Sequence, residues 1–173
     1  MVTTSAAAPG ELELVRAFVN TVDLEDEVDE LPDWLAARGA PASSEALSRA
    51  VRVREALRLL LMRHNGIDVD CGEAAATLDE AAARAGLSLR FLPDGSSRLE
   101  PAAEGVDAAL GSVLAIVGAA MAEGTWPRLK ACRSETCRWA FYDHAKNRAR
   151  TWCSMAVCGN RSKARAYRRR RSH

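Results

Sequence analysis

The sequence predicts a mainly α fold: a helical N-terminal domain with a small β-hairpin, then a cysteine-rich C-terminal module that ends in a basic helix. Three observations support this. Apolar residues recur at the helical period through most of residues 11–123. A Pro-Asp-Gly turn divides two short segments within residues 87–101. Beyond Trp126, Cys, Arg, Lys and Trp replace the Ala and Leu of the preceding chain. We therefore expect two domains, residues 1–125 and 126–173.

Each N-terminal element has its own signal. The predicted helices span residues 11–22, 32–38, 44–63, 73–85 and 104–123. Ser43 or Ser44 is a suitable N-cap for the third helix, and a glycine follows each of the last three helices, as at many helix ends. The acidic run from Asp23 to Glu30 is interpreted as a solvated loop. Residues 87–92 and 98–101 flank the turn and predict the hairpin.

The composition is that of an ordinary globular protein. Hydrophobic residues are 48% and charged residues 27%, which excludes collagen-like, mucin-like and largely disordered classes. The N-terminus shows no signal-peptide pattern. The most apolar stretch, Val106 to Ala122, is shorter than the ~20 residues that span a bilayer, so we interpret it as a buried helix. We expect a cytoplasmic protein without a membrane partner, where clustered cysteines more often bind metal than form disulfides.

Four of the five cysteines form two equally spaced pairs. The pattern is Cys132-x4-Cys137, then 15 residues, then Cys153-x4-Cys158. Two close thiolate pairs joined by a short spacer are typical of a closed structural zinc site, because Zn²⁺ prefers four tetrahedral ligands. We therefore expect one structural zinc ion, which makes the C-terminal module a four-cysteine zinc finger. A closed site leaves no coordination position for a catalytic water.

Two alternatives to this ligand set stay open. The four cysteines could be reduced thiols that only pack, and His144 could replace one of them as a ligand. Cys71 lies far from both pairs and is interpreted as a lone structural thiol. The last ~45 residues contain too few apolar residues to fold unaided, which favours the metal.

Charge is divided unequally along the chain. Residues 128–173 contain 14 Lys and Arg against two acidic residues, a balance of +12, whereas the remaining residues have a balance of −11. Such asymmetry indicates a polyanionic partner, and we expect nucleic acid: DNA, with RNA possible. The candidate nucleic-acid-binding residues are Arg138, Lys146, Arg148, Arg150, Arg161, Lys163, Arg165, Arg168 and Arg169. The alternative is a basic tail that is solvated or folds back on the acidic domain.

Three polar residues fall on otherwise apolar helical faces of the N-terminal domain. They are Asn20, Thr21 and Arg54. Burying them is costly unless they are paired, so they either brace two helices as a network or line a pocket. In a pocket, the Arg54 guanidinium would bind an anionic small-molecule effector through two parallel hydrogen bonds.

The C-terminal residues resemble a known family. The stretch from Leu129 to Arg165 is similar to the CGNR zinc finger, named for the run that here is Cys158-Gly159-Asn160-Arg161. Further positions of the family pattern are Phe141, Asp143, Asn147, Arg150, Trp152, Met155 and Lys163. His144 stands where the family more often has a small or basic residue, which argues against its role as a ligand.

The N-terminal domain carries a second, looser resemblance. In the CGNR family the finger usually follows an ABATE domain, regarded as the ligand-binding part of stress-induced transcription regulators. Phe18-Val19-Asn20-Thr21 resembles one ABATE element, and the Arg-Glu-Ala-Leu-Arg run that ends at Arg58 resembles another. The resemblance implies a regulator whose N-terminal domain binds a small molecule.

The sequence therefore favours a zinc-stabilised DNA-binding transcription regulator that senses a small molecule through its N-terminal domain. The alternative is an RNA- or ribosome-associated zinc-binding module without a sensory role. We expect no enzyme, because the N-terminal domain contributes a single histidine, His64, and no catalytic motif. A homodimer would extend the small DNA-contacting surface of one finger. The predicted helix 104–123, which is rich in small residues, would form either the dimer interface or part of the core.

Overall fold

The computed structural model describes residues 6–171. In the body, residues 6–125, the elements are α1 (Leu12–Val19), β1 (Val22–Asp23), β2 (Val28–Asp29), α2 (Leu31–Ala36), α3 (Ser44–His64), α4 (Gly72–Ala85), β3 (Ser88–Phe91), β4 (Ser97–Glu100) and α5 (Gly105–Ala122). In the finger, residues 126–171, they are a short 3-10 helix (Trp126–Arg128), β5 (Leu129–Ala131), β6 (Ala140–Tyr142), a π-helical turn (Met155–Gly159) and α6 (Asn160–Arg171). The predicted mainly α fold class is confirmed.

The core of the body lies between α1, α3 and α5. Phe18 of α1, Leu57 and Leu61 of α3 and Val113 of α5 are completely buried. Leu57 and Leu61 are one helical turn apart, so they share the face of α3 that packs inward. Of the two candidate N-caps of α3, the structure uses Ser43, whose Oγ accepts a hydrogen bond from the amide three residues later at 3.3 Å. Ser43 thus fixes the start of the helix that carries this buried face.

The segment from Asp23 to Glu30, here named the acidic turn, contains a hairpin where the sequence predicted a solvated loop. β1, which begins one residue before this segment, pairs with β2 as an antiparallel strand. The Oδ1 of Asp23 accepts a hydrogen bond from the amide of Glu25 at 2.9 Å, which tightens the bend. Asp29 accepts two hydrogen bonds from the guanidinium of Arg54, at 2.7 and 2.9 Å. An acidic composition indicates exposure, but it does not reveal one carboxylate held by a buried arginine.

The hairpin of β5 and β6 lies between two cores. Successive side chains of a strand point to opposite faces, so each strand contributes to both. On the body face, the buried side chains are Leu129, Ala131, Ala140 and Tyr142. On the other face, Lys130 and Phe141 are paired in register, and Phe141 packs against the cysteines. The finger is therefore joined to the body through a shared core, and the predicted boundary at residue 126 stays a prediction.

α5 is the most apolar helix of the body. By length and composition it meets the minimum for crossing a membrane, a weak criterion that core helices of soluble proteins also meet. Its residues Leu110, Val113 and Val117 are buried in the body core. These positions agree with the interpretation of α5 as a core helix.

We predict that Gly111→Ala in α5 destabilises the body. A Cβ at Gly111 would lie 2.6 Å from the Cβ of Ala85 and 2.9 Å from the Cβ of Pro101, and overpacking of this kind costs about 1–3 kcal/mol. The matched control is Gly118→Ala in the same helix, where the nearest atom is the mobile Cδ1 of Leu99 at 3.3 Å. Chemical denaturation measures both variants, and equal free energies of unfolding would contradict the close packing at Gly111.

Candidate metal centre and basic surface

The four predicted cysteine ligands converge on one point. The Sγ atoms of Cys132, Cys137, Cys153 and Cys158 all lie within 4.8 Å of one another. The Sγ of Cys153 is 3.6 Å from that of Cys137 and 3.7 Å from that of Cys158. A tetrahedral zinc ion with Zn–S bonds of about 2.3 Å places its sulfurs about 3.8 Å apart. The observed spacing therefore fits a single tetrahedral ion.

The protonation of the cluster also fits a cation site. Hydrogen bonds from the thiols of Cys137 and Cys153 lower the pKa of Cys132 to about 2. The hydrogen bond with Cys132 raises the pKa of Cys137 to about 12 and also raises the pKa of Cys153, while burial raises the pKa of Cys158. Four thiolates at this distance repel one another, so a bound cation is what makes all of them stable at neutral pH. Soft sulfur donors, three of them on buried residues, suit zinc.

The first cysteine pair is positioned by the turn of the finger hairpin. Cys132 follows β5 directly, and its amide donates to the carbonyl of Trp139 at 2.9 Å. The amide of Cys137 donates to the carbonyl three residues earlier at 3.1 Å, which closes the turn. Arg138 has a φ of 50°, and its guanidinium donates to the carbonyls of Cys132 and Arg133 at 3.4 and 3.1 Å. The hairpin and this arginine together fix the two sulfurs.

The second cysteine pair is positioned by the start of the C-terminal helix. Cys158 lies in the π-helical turn that leads into α6, and the Oγ of Ser154 accepts a hydrogen bond from the turn at 3.3 Å. Gly159 follows, and a Cβ there would lie 2.8 Å from the Sδ of Met155. A side chain at this position would have to displace the thioether of Met155, so the glycine leaves room for close packing beside the last ligand. α6 is attached directly to the metal centre.

A buried ion pair supports the loop between the two cysteine pairs. The Nζ of Lys130 lies 2.7 Å from the Oδ2 of Asp143, and their side chains are only 6% and 0% exposed. Burial raises the pKa of Asp143, but hydrogen bonds from Lys130 and from the amides of Ala145 and Arg150 outweigh burial and hold that pKa below its usual value. Lys130 also donates to the carbonyls of Arg148 and Arg150 at 2.5 and 3.3 Å. The ion pair thus ties the loop to β5.

Two of the nine predicted nucleic-acid-binding residues turn inward. Arg138 donates to the first cysteine loop, as described above. Arg150 donates to the carbonyls of Trp152 and Cys153, and its guanidinium lies 5.0 Å from the ring centroid of Phe141. Both side chains are half-buried. They hold the metal-binding loops in place with the hydrogen-bond donors that a phosphate would otherwise use.

Six of the remaining predicted residues lie exposed on one loop and one helix. Lys146 and Arg148 lie in the loop, and Lys163 and Arg165 lie on α6. Within residues 6–171 no ion pair engages these four side chains. Arg161, also on α6, pairs with Glu25 of the acidic turn at 2.5 Å. The last of the six is Arg168, farther along α6, and the side chain of the ninth residue, Arg169, falls outside the described residues.

The predicted ligand-binding residues are hydrogen-bonded to protein groups. The amide side chain of Asn20 donates to the carbonyl of Ala140 at 2.9 Å and accepts from its amide at 2.7 Å, as a neighbouring strand would. Thr21 accepts a hydrogen bond from Arg54 at 3.1 Å. Arg54 is 3% exposed and pairs with Asp29. Thr21 and Arg54 thus form a network with Asp29, one of the two interpretations left open by the sequence. Asn20 binds the finger hairpin instead.

Sequence reasoning missed two buried side chains that join the body to the finger. Arg58 donates to the carbonyl of Arg138, beside the first cysteine pair, at 3.0 Å. The Nδ2 of Asn65 donates to the carbonyls of Ala131 and Thr151 at 2.7 and 2.9 Å. The signal for Arg58 was present, because it lies one helical turn after Arg54 on the same apolar face. Asn65 gives no such signal, because an Asn-Gly pair is common at the end of a helix.

The two alternative metal ligands lie elsewhere. The Nε2 of His144 is 2.9 Å from the carbonyl oxygen of Ala7, on the exposed side of the loop. The Sγ of Cys71 is 3.8 Å from the carbonyl of Val69 in the body. In the described part of the chain, the clustered group that could hold a metal ion consists of the four paired cysteines.

We predict that Cys153→Ser removes zinc and unfolds only the second half of the finger. The second pair depends on the metal, whose binding contributes about 10–16 kcal/mol in isolated zinc-finger peptides. The β5–β6 hairpin is expected to stay folded because it shares the body core. Zinc content and hydrogen exchange measure the effect, with Cys71→Ser as the matched control. Retained zinc, or protected amides in α6, would contradict the role of the metal.

Two family comparisons match this chain. Residues 128–171 match the CGNR zinc finger. Residues 12–124 match ABATE, described as "Putative stress-induced transcription regulator". A comparison with curated proteins finds no match. Since the ABATE match covers well over half of the chain, the chain belongs to the ABATE family and carries a CGNR zinc finger with one structural zinc ion at its four-cysteine cluster.

Proposed function

We propose that this protein is a DNA-binding transcription regulator that contacts the phosphate backbone through α6 and the loop before the second cysteine pair. The observation that carries the proposal is the set of exposed basic side chains on elements that the metal centre holds in place. Lys146, Arg148, Lys163 and Arg165 are exposed. The ion pair of Lys130 and the zinc cluster fix their backbone, so these charges need no further folding to meet a polyanion.

The shape of α6 suits a groove of duplex DNA. The helix has 12 residues, a length of about 18 Å, and a helix is narrow enough to enter the major groove. Arg161, Arg165 and Arg168 are spaced four and three residues apart, so they lie along one face. A basic helix that leaves a zinc site in this way resembles the general docking mode of helical DNA-binding modules.

Electrostatics favour association of the finger with nucleic acid. Four thiolates and one Zn²⁺ carry a charge of about −2, which leaves the finger at roughly +10. Each phosphate that is neutralised releases counterions, so affinity falls as salt rises. The acidic body opposes non-specific wrapping of the polyanion around the rest of the protein. Contact is thereby directed to the finger.

We predict that Lys163→Gln combined with Arg165→Gln weakens duplex binding and flattens its salt dependence. Loss of two phosphate contacts reduces the slope of log affinity against log salt by about 1.8. Fluorescence anisotropy across a salt series measures this with the zinc-loaded protein. The matched control is Arg52→Gln with Arg90→Gln, which removes two exposed charges from the body. Equal slopes for the two double variants would contradict the proposed interface.

The same titration separates DNA from RNA. A structured RNA hairpin of matched length serves as the competing probe. Preference for duplex DNA supports transcription regulation, whereas equal or tighter binding to RNA favours an RNA- or ribosome-associated module. Charge alone attracts both polymers, so the comparison is needed.

We further propose that the body senses an anionic small molecule at Arg54. The guanidinium of Arg54 already binds a carboxylate with two parallel hydrogen bonds, that of Asp29, and is therefore preorganised for an anion. An effector that replaced Asp29 would release β2 and with it the acidic turn. This gives the effector different affinities for two states of the protein, which is what sensing requires.

We predict that Asp29→Asn strengthens anion binding at Arg54. The substitution preserves side-chain size and removes the competing charge. Thermal unfolding with succinate as the probe measures the effect, and Asp79→Asn on the exposed side of α4 is the control. A larger succinate-dependent rise in Tm is expected for Asp29→Asn. Equal rises in the two variants would contradict a site at Arg54.

We propose that the protein acts by binding rather than by catalysis, in keeping with its family description as a regulator. Regulators of transcription act where the DNA is, so we propose a cytoplasmic location. A homodimer would place two fingers on one duplex, and we propose it because one finger offers a small reading surface.

A further inference from the structure

We propose that the acidic turn is an autoinhibitory element: it occupies the phosphate-binding position beside Arg161 and must be displaced when nucleic acid binds. This inference rests on the proposed function, because it describes how the DNA-binding face of α6 is controlled. It concerns a contact within the chain that joins the acidic body to the basic finger.

The acidic turn faces the metal centre across a cavity of about 270 Å³. Asp23, Glu25 and Asp26 line one side of the cavity. The other side is lined by metal-binding cysteines of both pairs and by Arg161. Carboxylates of the body are therefore held opposite the first turn of α6, on the side where this helix leaves the zinc site.

One direct contact joins the two sides of the cavity. The Nη1 of Arg161 lies 2.5 Å from the Oε1 of Glu25. A guanidinium binds carboxylate and phosphate oxygens by the same charge-assisted hydrogen bonds, so Glu25 uses donors that a DNA phosphate would use. Lys163 and Arg165 have no ion pair within the described residues. The turn thus covers the start of the basic face and leaves the rest of that face accessible.

The acidic turn is anchored to the body. Asp29 at its end forms the two hydrogen bonds with Arg54. The Oδ1 of Asp29 also accepts from the amide of Leu31 at 3.0 Å, and the amide of Glu30 donates to the carbonyl of Thr21 at 2.7 Å. These contacts fix the base of the hairpin while its tip reaches the finger. A tethered competitor has a high effective concentration at its site, so even a weak contact competes with free nucleic acid.

The ion pair of Arg161 and Glu25 has the strength expected of a contact that nucleic acid can displace. The side chains of Arg161 and Glu25 are 48% and 47% exposed, and exposed ion pairs are weak and screened by salt. A polyanion that engages several basic residues at once therefore displaces the turn. The acidic turn therefore lowers the affinity of the finger for nucleic acid, and an event that loosens the base of the hairpin raises that affinity.

The test uses Glu25→Gln with Asp26→Asn in the full-length, zinc-loaded protein. We expect this variant to bind duplex DNA about 3- to 10-fold more tightly than the wild type at low salt, with the difference shrinking as salt rises. The matched control, Glu73→Gln with Asp79→Asn, removes two exposed carboxylates from α4. Fluorescence anisotropy gives both affinities. An equal gain in the control would overturn the inference, because net charge alone would then explain it.

A second variant tests whether the acidic turn weakens binding by covering Arg161. In an Arg161→Gln background, the gain from Glu25→Gln with Asp26→Asn is expected to fall by at least about half, since the covered donor is gone. An undiminished gain would overturn the inference. If the wild type binds DNA and the variant with Glu25→Gln and Asp26→Asn binds no more tightly, the inference is overturned and the proposed function is unaffected. Absence of DNA binding by the wild type and every variant contradicts the proposed function itself.

Discussion

The convergence of four thiolates on one metal ion is the constraint on which the finger depends. The sulfurs lie within 4.8 Å of one another, a distance at which four negative charges repel strongly without a cation. The metal joins a hairpin turn to the start of α6. A strongly basic helix is thereby held in a fixed direction, although its own side chains repel one another.

The body and the finger are one packed unit around the β5–β6 hairpin. One face of the hairpin completes the helical core, and the other covers the cysteines. Side chains from both family motifs of the body, the half-buried Asn20 and the buried Arg58, bind the finger backbone directly. A change at the Arg54–Asp29 pair therefore has a short physical path to the zinc site and to Arg161. In the proposed mechanism, these contacts link sensing to nucleic-acid binding.

Local features were predictable from the sequence. The cysteine spacing, the serine cap of α3 at residue 43 or 44, the hairpin within residues 87–101 and the basic C-terminal helix each depend on residues close together in the chain. Long-range polar pairing was not predictable. Asn20 meets Ala140 across 120 residues, and the acidic turn meets α6 across 136. Counting charges likewise could not show that Arg150 binds carbonyls of the metal-binding loops, because the direction in which its side chain points depends on the folded backbone.

The coordination of the metal tests the central claim most directly. X-ray absorption at the zinc edge of the purified protein reports the identity and distance of the atoms bound to zinc. We expect four sulfur neighbours at about 2.3 Å and one zinc per chain. A nitrogen or oxygen neighbour in place of a sulfur, or a chain that folds with its basic helix ordered and no zinc bound, would contradict the account.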